Sequence, residues 1–169
     1  MISILTLNFV FIDALAQYAD DNSNFYELRL GSVTWQAASV LSPLAVYRGV
    51  TGHLVTIEDS TEEAFVKWLA GAGDFWLGLT QKPSSNQWIY STGATAGLIA
   101  NYTDWYLGFP SGANPNCVFM NASDNGHWST TGCAQSLPYI IEYECATGYA
   151  FGASGCIGLI AVSVDLFER

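Results

Sequence analysis

Basic residues are scarce in this chain. Five Lys and Arg stand against 15 Asp and Glu, a formal net charge of −10 over 169 residues. Gripping phosphates takes clustered cations, and Arg29, Arg48, Lys67, Lys82 and Arg169 are scattered. The composition therefore excludes nucleic acid as a partner and disfavours an anionic membrane surface. Histidine is scarcer still, with His53 and His127 alone. No G-x-S-x-G, HExxH, phosphate loop or dinucleotide fingerprint occurs. Catalysis wants a nucleophile beside a base or a metal with an open position, so no enzyme is expected. No cysteine precedes Cys117 and no C-x-x-C occurs, which removes cysteine zinc spacings.

What the chain has instead is apolar surface to bury. Half the residues are hydrophobic, including 6 Trp, 9 Tyr and 9 Phe, which excludes disorder. The length suits one domain with a real core.

The ends are the most apolar parts. Residues 1–12 carry no charge and lead into Ala14-Leu15-Ala16. That segment reads either as a secretory signal lacking its basic start or as a retained apolar strand. Residues 147–164 are also uncharged and contain Gly148 and Gly152 as a GxxxG pair. They read as a membrane span at the lower limit of length or, the reading preferred, as strand. Both ends are expected to mediate association, because exposed they would form aggregation-prone edges.

Between the ends, helices come first and strands later, an α+β pattern. Residues 25–30 alternate like a strand, and Thr34 caps a helix over 35–41 that Ser42-Pro43 ends. Ser60-Thr61-Glu62-Glu63 has the form of a capping box with Ser60 as cap, and Phe65, Trp68 and Leu69 follow on one helical face. Strand-like runs over 75–80, 87–90, 117–120 and 139–143 are bounded by Gly, Asn, Ser or Pro.

Cys117 and Cys133 enclose a stretch rich in Asn, Ser, Gly and Thr, and Cys145 and Cys156 can pair around a Gly-rich loop. With the acceptor triplets at Asn101 and Asn121, an even cysteine count points to a secreted, extracellular or lumenal, glycosylated protein.

The order of these landmarks resembles a C-type lectin-like domain. Thr34-Trp35-Gln36-Ala37-Ala38 and His53-Leu54-Val55-Thr56-Ile57 resemble its two-helix opening. Phe75-Trp76-Leu77-Gly78-Leu79 is similar to its most diagnostic run, and Trp88-Ile89-Tyr90 to its next aromatic strand. Tyr102-Thr103-Asp104-Trp105, Pro110, Cys117, Gly126-His127-Trp128, Cys133 and Pro138-Tyr139-Ile140-Ile141-Glu142 then follow in family order. The resemblance covers residues 25–145, leaving 1–24 as an N-terminal segment and 146–169 as a Gly-rich extension. Core packing is the reading for Trp35, Trp68, Trp76, Trp88 and Trp128.

The resemblance also shows what is missing. The family's bridge between first helix and last strand has lost both halves, with Ile141 at the final-strand position. In calcium-dependent members, acids and amides flank the loop proline, precede a cysteine and follow the Trp. Here those places hold Phe109 and Ser111, Pro115, and Ser129-Thr130. A displaced site would draw on Asp104, Asp124 and residues 114–116, although an Asn/Asp cluster is usually a solvated turn. No cofactor, calcium included, is expected. The resemblance implies a non-catalytic, calcium-independent recognition or assembly module for a protein or glycoprotein, acting through residues 101–131. Tyr106, Phe109, Asn114 and Asn116 are the candidate contacts. The alternatives are a lectin with a non-standard carbohydrate site, or a structural subunit of a membrane-anchored or fibrous assembly.

Overall fold

The computed structural model describes residues 15–17, 24–82, 85–111, 116–146 and 148–158. The apolar ends 1–12 and 159–167, and Asn114 and Pro115, lie outside these residues.

The helices begin where side-chain oxygens satisfy free amides. Thr34 Oγ1 accepts from Ala37 N at 3.2 Å and opens α1 (Trp35–Leu41). The second helix, α2 (Ser60–Ala70), corrects the sequence reading: Asp59 is its cap, not Ser60. Asp59 Oδ1 accepts from Thr61 N at 2.8 Å and Glu62 N at 2.9 Å. A carboxylate suits the positive end of a helix better than a hydroxyl. The reach-back bond belongs to Glu62, which accepts from Glu58 N at 2.8 Å, and this leaves Glu63 free to turn inward.

The main sheet is built around β10 (Leu137–Tyr143), a nearly continuous buried run. It lies antiparallel to β2 (Phe25–Val33) and pairs parallel with β6 (Phe75–Gln81) through Tyr139 and Trp76. Outward from β6 follow β8 (Asn116–Asn121) and β9 (His127–Gly132), while β7 (Trp88–Tyr90) pairs with the far end of β6. On the other flank β1 (Leu15–Gln17) pairs with β2, while β5 (His53–Leu54) pairs with Ile141 and Glu142 on the edge of β10 that β6 also uses. This is the expected α+β architecture of two helices and sheet, antiparallel as expected except where β10 runs parallel to β6.

Two buried clusters hold the layers together. One contains Ala38, Leu54, Trp76, Ile141 and Tyr143, so Ile141 and the first helix share a core without a bridge. Trp35 Nε1 donates to Leu77 O and Trp76 Nε1 to Val33 O, each at 2.8 Å, tying α1 and β2 to the sheet. The second contains Tyr26, Val55, Leu77, Leu79, Trp128 and Ile140. Trp68 departs from its expected core role: it is 71% exposed, because Glu62, Glu63, Val66 and Ala70 are the residues α2 buries.

Two small hairpins complete the described chain, β3 (Val46–Tyr47) with β4 (Val50–Thr51), and β11 (Tyr149–Gly152) with β12 (Gly155–Gly158). The second lies in the stretch that reads from sequence as strand or span. Among the described residues no helix is long and apolar enough to cross a membrane. The hairpin docks on the domain through Phe151, whose ring stands 4.7 Å from that of Phe25. A disulfide, Cys145–Cys156, ties it to the end of β10.

Candidate functional site

The long connection between β7 and β8 is irregular in its described residues, so side chains must fix its shape. Aromatic stacking supplies its floor. Trp105 stands 5.1 Å from Trp88 and 5.7 Å from Trp128, and Tyr102 lies 5.9 Å from Trp128. Below them Glu63 rises from α2. It accepts from Trp128 Nε1 at 2.8 Å and from the Tyr102 hydroxyl at 2.6 Å. Burial pushes the Glu63 carboxyl above its usual range, against the pull of the Tyr102 bond and of Lys67. Lys67 Nζ bridges Glu63 at 3.4 Å and Asp104 at 3.1 Å, and His127 Nδ1 closes on Asp104 at 2.8 Å. Partial burial pushes the Asp104 carboxyl up, but its bonds from Lys67 and His127 leave it below the ordinary value. Sequence reading missed Glu63: the run Ser60 to Glu63 gives it a capping role, and nothing local shows that it faces a tryptophan 65 residues away.

Trp105 and Tyr102 are thus packed under the loop, and what remains outward is Tyr106, Leu107 and Phe109. Leu107 is 90% exposed and Tyr106 39%. The Phe109 ring lies 6.2 Å from that of Tyr106 and is half-buried. Phe109 precedes Pro110 through a cis peptide. Beyond it the loop is clasped to β9, where the Thr130 hydroxyl accepts from Ser111 N at 3.1 Å and donates to Ser111 O at 2.7 Å. Asn116 enters at the start of β8, and Asn114 falls outside the described residues.

The remaining polar candidates do not converge. Asp104 is taken up by Lys67 and His127, and Asp124 accepts from Asn121 Nδ2 at 2.7 Å inside a turn. Asn101 is exposed, its Oδ1 accepting from the Tyr90 hydroxyl at 2.9 Å, whereas Asn121 is half-buried. The disulfide Cys117–Cys133 ties the start of β8 to the residue after β9.

A second acidic group lies in the core between α2 and β10. Glu142 accepts from Asn24 at 2.8 Å and from Thr56 N at 3.0 Å, while the Tyr26 hydroxyl donates to Glu62 at 2.7 Å. Desolvation, and then the charge of Glu142, pushes Glu62 up to about 9. Burial, and then the charge of Glu144, pushes Glu142 up to about 8.

Comparison with known proteins places this arrangement. Residues 47–143 match the family model described as the lectin C-type domain. C-type lectin domain family 3 member A of Mus musculus is 32% identical over 76 residues, 44% of this chain and 37% of that protein. Tetranectin-like protein of Carcharhinus perezii is 33% identical over 78 residues, 46% of this chain and 45% of that protein. The chain thus spans less than half the length of these relatives. Among solved structures, human lithostathine superposes with a TM-score of 0.62 at 23% identity, covering 76% of this chain and 88% of that one.

Proposed function

The chain belongs to the lectin C-type domain family, and from that premise we propose that it is a non-catalytic module that binds a protein or glycoprotein without calcium. The observation that carries this reading is the clasp between Ser111 and Thr130. Calcium takes six to eight oxygens, several of them carboxylate. Of the positions where calcium-dependent members hold their ligands, the described ones carry Phe109, Ser111, Ser129 and Thr130. None offers a carboxylate, and Ser129 and Thr130 are 1% and 9% exposed. The Thr130 hydroxyl is engaged by the Ser111 backbone, and with no carboxylate beside it these residues do not fit calcium.

The contact surface we assign is the loop crest formed by Tyr106, Leu107 and Phe109, and Asn114 and Asn116 stay candidate contacts on the strength of the sequence alone. Exposed aromatic and aliphatic side chains on a rigid base are the usual anchors of protein interfaces. The two disulfides and the Asn101 and Asn121 triplets support an oxidising, extracellular or lumenal setting. An array of glycans and glycoproteins, probed with and without calcium, tests the reading. Calcium-indifferent binding that Leu107→Ser abolishes supports it; calcium-dependent binding to a simple sugar overturns it.

A further inference from the structure

A separate cluster lies where β5 meets the end of β10, apart from the loop crest. In the antiparallel register His53 stands opposite Glu142. Glu144, two residues further, reaches the same imidazole, as alternate residues of an extended chain do. His53 Nε2 lies 3.2 Å from Glu144 Oε1 and 3.9 Å from Glu142 Oε2. The histidine is 7% exposed, and its Nε2 is buried with no well-directed hydrogen bond, Glu144 Oε1 standing beside it.

The other ring nitrogen decides what Nε2 offers. Nδ1 lies 3.1 Å from Leu54 O. A carbonyl only accepts, so in the neutral ring Nδ1 carries the proton and Nε2 presents its lone pair. Two carboxylate oxygens are its near neighbours, and the three ligand atoms lie within 4.8 Å of one another. In tetrahedral coordination with bonds of about 2.1 Å, ligand atoms stand about 3.4 Å apart. The two edges from Nε2, 3.2 and 3.9 Å, bracket that spacing.

The surroundings hold these ligands as metal sites do, by outer hydrogen bonds that fix each donor. The Leu54 carbonyl orients the imidazole. Thr56 N and Oγ1 donate to Glu142 Oε2 at 3.0 and 3.2 Å. Ala94 N donates to Glu144 Oε1. The turn is pressed onto the cluster: a Cβ on Gly93 would come within 2.8 Å of His53 Cε1 and 3.0 Å of Glu144 Oε1. Glu144 is 19% exposed in its side chain, leaving a solvent side for a fourth ligand. All four cysteines are in disulfides, so no thiol competes.

We propose that His53, Glu142 and Glu144 form a binding site for a first-row divalent metal ion, zinc in the first instance, with water as fourth ligand. One nitrogen and two carboxylates suit zinc, whereas calcium asks for oxygen alone and more of it. Isothermal titration of the metal-stripped full chain with zinc, magnesium and calcium salts tests the site, together with the thermal midpoint and the visible spectrum of the cobalt form. One zinc per chain, a raised midpoint and cobalt bands are expected. Glu144→Gln and His53→Gln should each weaken zinc by about tenfold or more. Buried His53→Gln can fail to fold, so Glu144→Gln at the solvent edge carries the test, with circular dichroism showing that it is folded. Absence of zinc binding, unchanged zinc affinity in folded Glu144→Gln, or uptake of calcium in preference to zinc overturns the proposal.

Discussion

Thr130 and Ser111 are joined through a single hydroxyl, which accepts the Ser111 amide at 3.1 Å and donates to the Ser111 carbonyl at 2.7 Å. Replacing it by Val keeps the shape and removes both bonds. Thr130→Val should cost about 2 kcal/mol, since two hydrogen bonds at a largely buried position are lost. Urea denaturation measures the loss, and hydrogen exchange at the Ser111 amide should quicken.

Glu63 supports the loop from below by accepting from Trp128 and Tyr102. Glu63→Ala leaves the buried Trp128 indole N–H without its acceptor and should cost roughly 3 kcal/mol. Glu63→Gln keeps a carbonyl oxygen there and should cost less. Denaturation of both variants checks the order.

The buried acids set the pH dependence. The Glu62 carboxyl, pushed up to about 9 by desolvation and then by Glu142, has an ordinary value of 4.5. Between those values the folded chain holds a proton that the unfolded chain has released. Stability is therefore full below the ordinary value and falls as pH rises toward 9. The thermal midpoint should drop by about 5 °C or more from mildly acid to alkaline conditions. Glu62→Gln should flatten that slope in scanning calorimetry.

Each disulfide closes a short loop, with separations of 16 residues for Cys117–Cys133 and 11 for Cys145–Cys156. Each constrains the unfolded chain by about 3 kcal/mol in the chain-entropy account. A non-reduced digest should yield both linked peptide pairs, and free thiols at these positions contradict the pairing.

Much of this fold is legible in the sequence because its signals are local. The Thr34 cap, the Ser42-Pro43 end of α1 and the apolar run of β10 each declare an element within a few residues. Trp68 misleads because helical spacing gives a stripe but not which stripe faces the core, and here Glu63 takes the inward place. Ser60 misleads because Asp59, one residue earlier, already accepts from the first free amides, those of Thr61 and Glu62. The loop floor and the His53 cluster join residues far apart in the chain. Glu63 meets Trp128 across 65 positions where α2 meets β9, and His53 meets Glu144 through the register of β5 on β10.

The central claim is that the loop binds without calcium, and the Ser111 and Thr130 amides are its direct reporters. Nuclear magnetic resonance titration of the metal-stripped full chain with calcium follows both. The account predicts that neither resonance moves as calcium is raised to excess. Saturable shifts at Ser111 and Thr130 would mean that the loop holds the ion, and would contradict it.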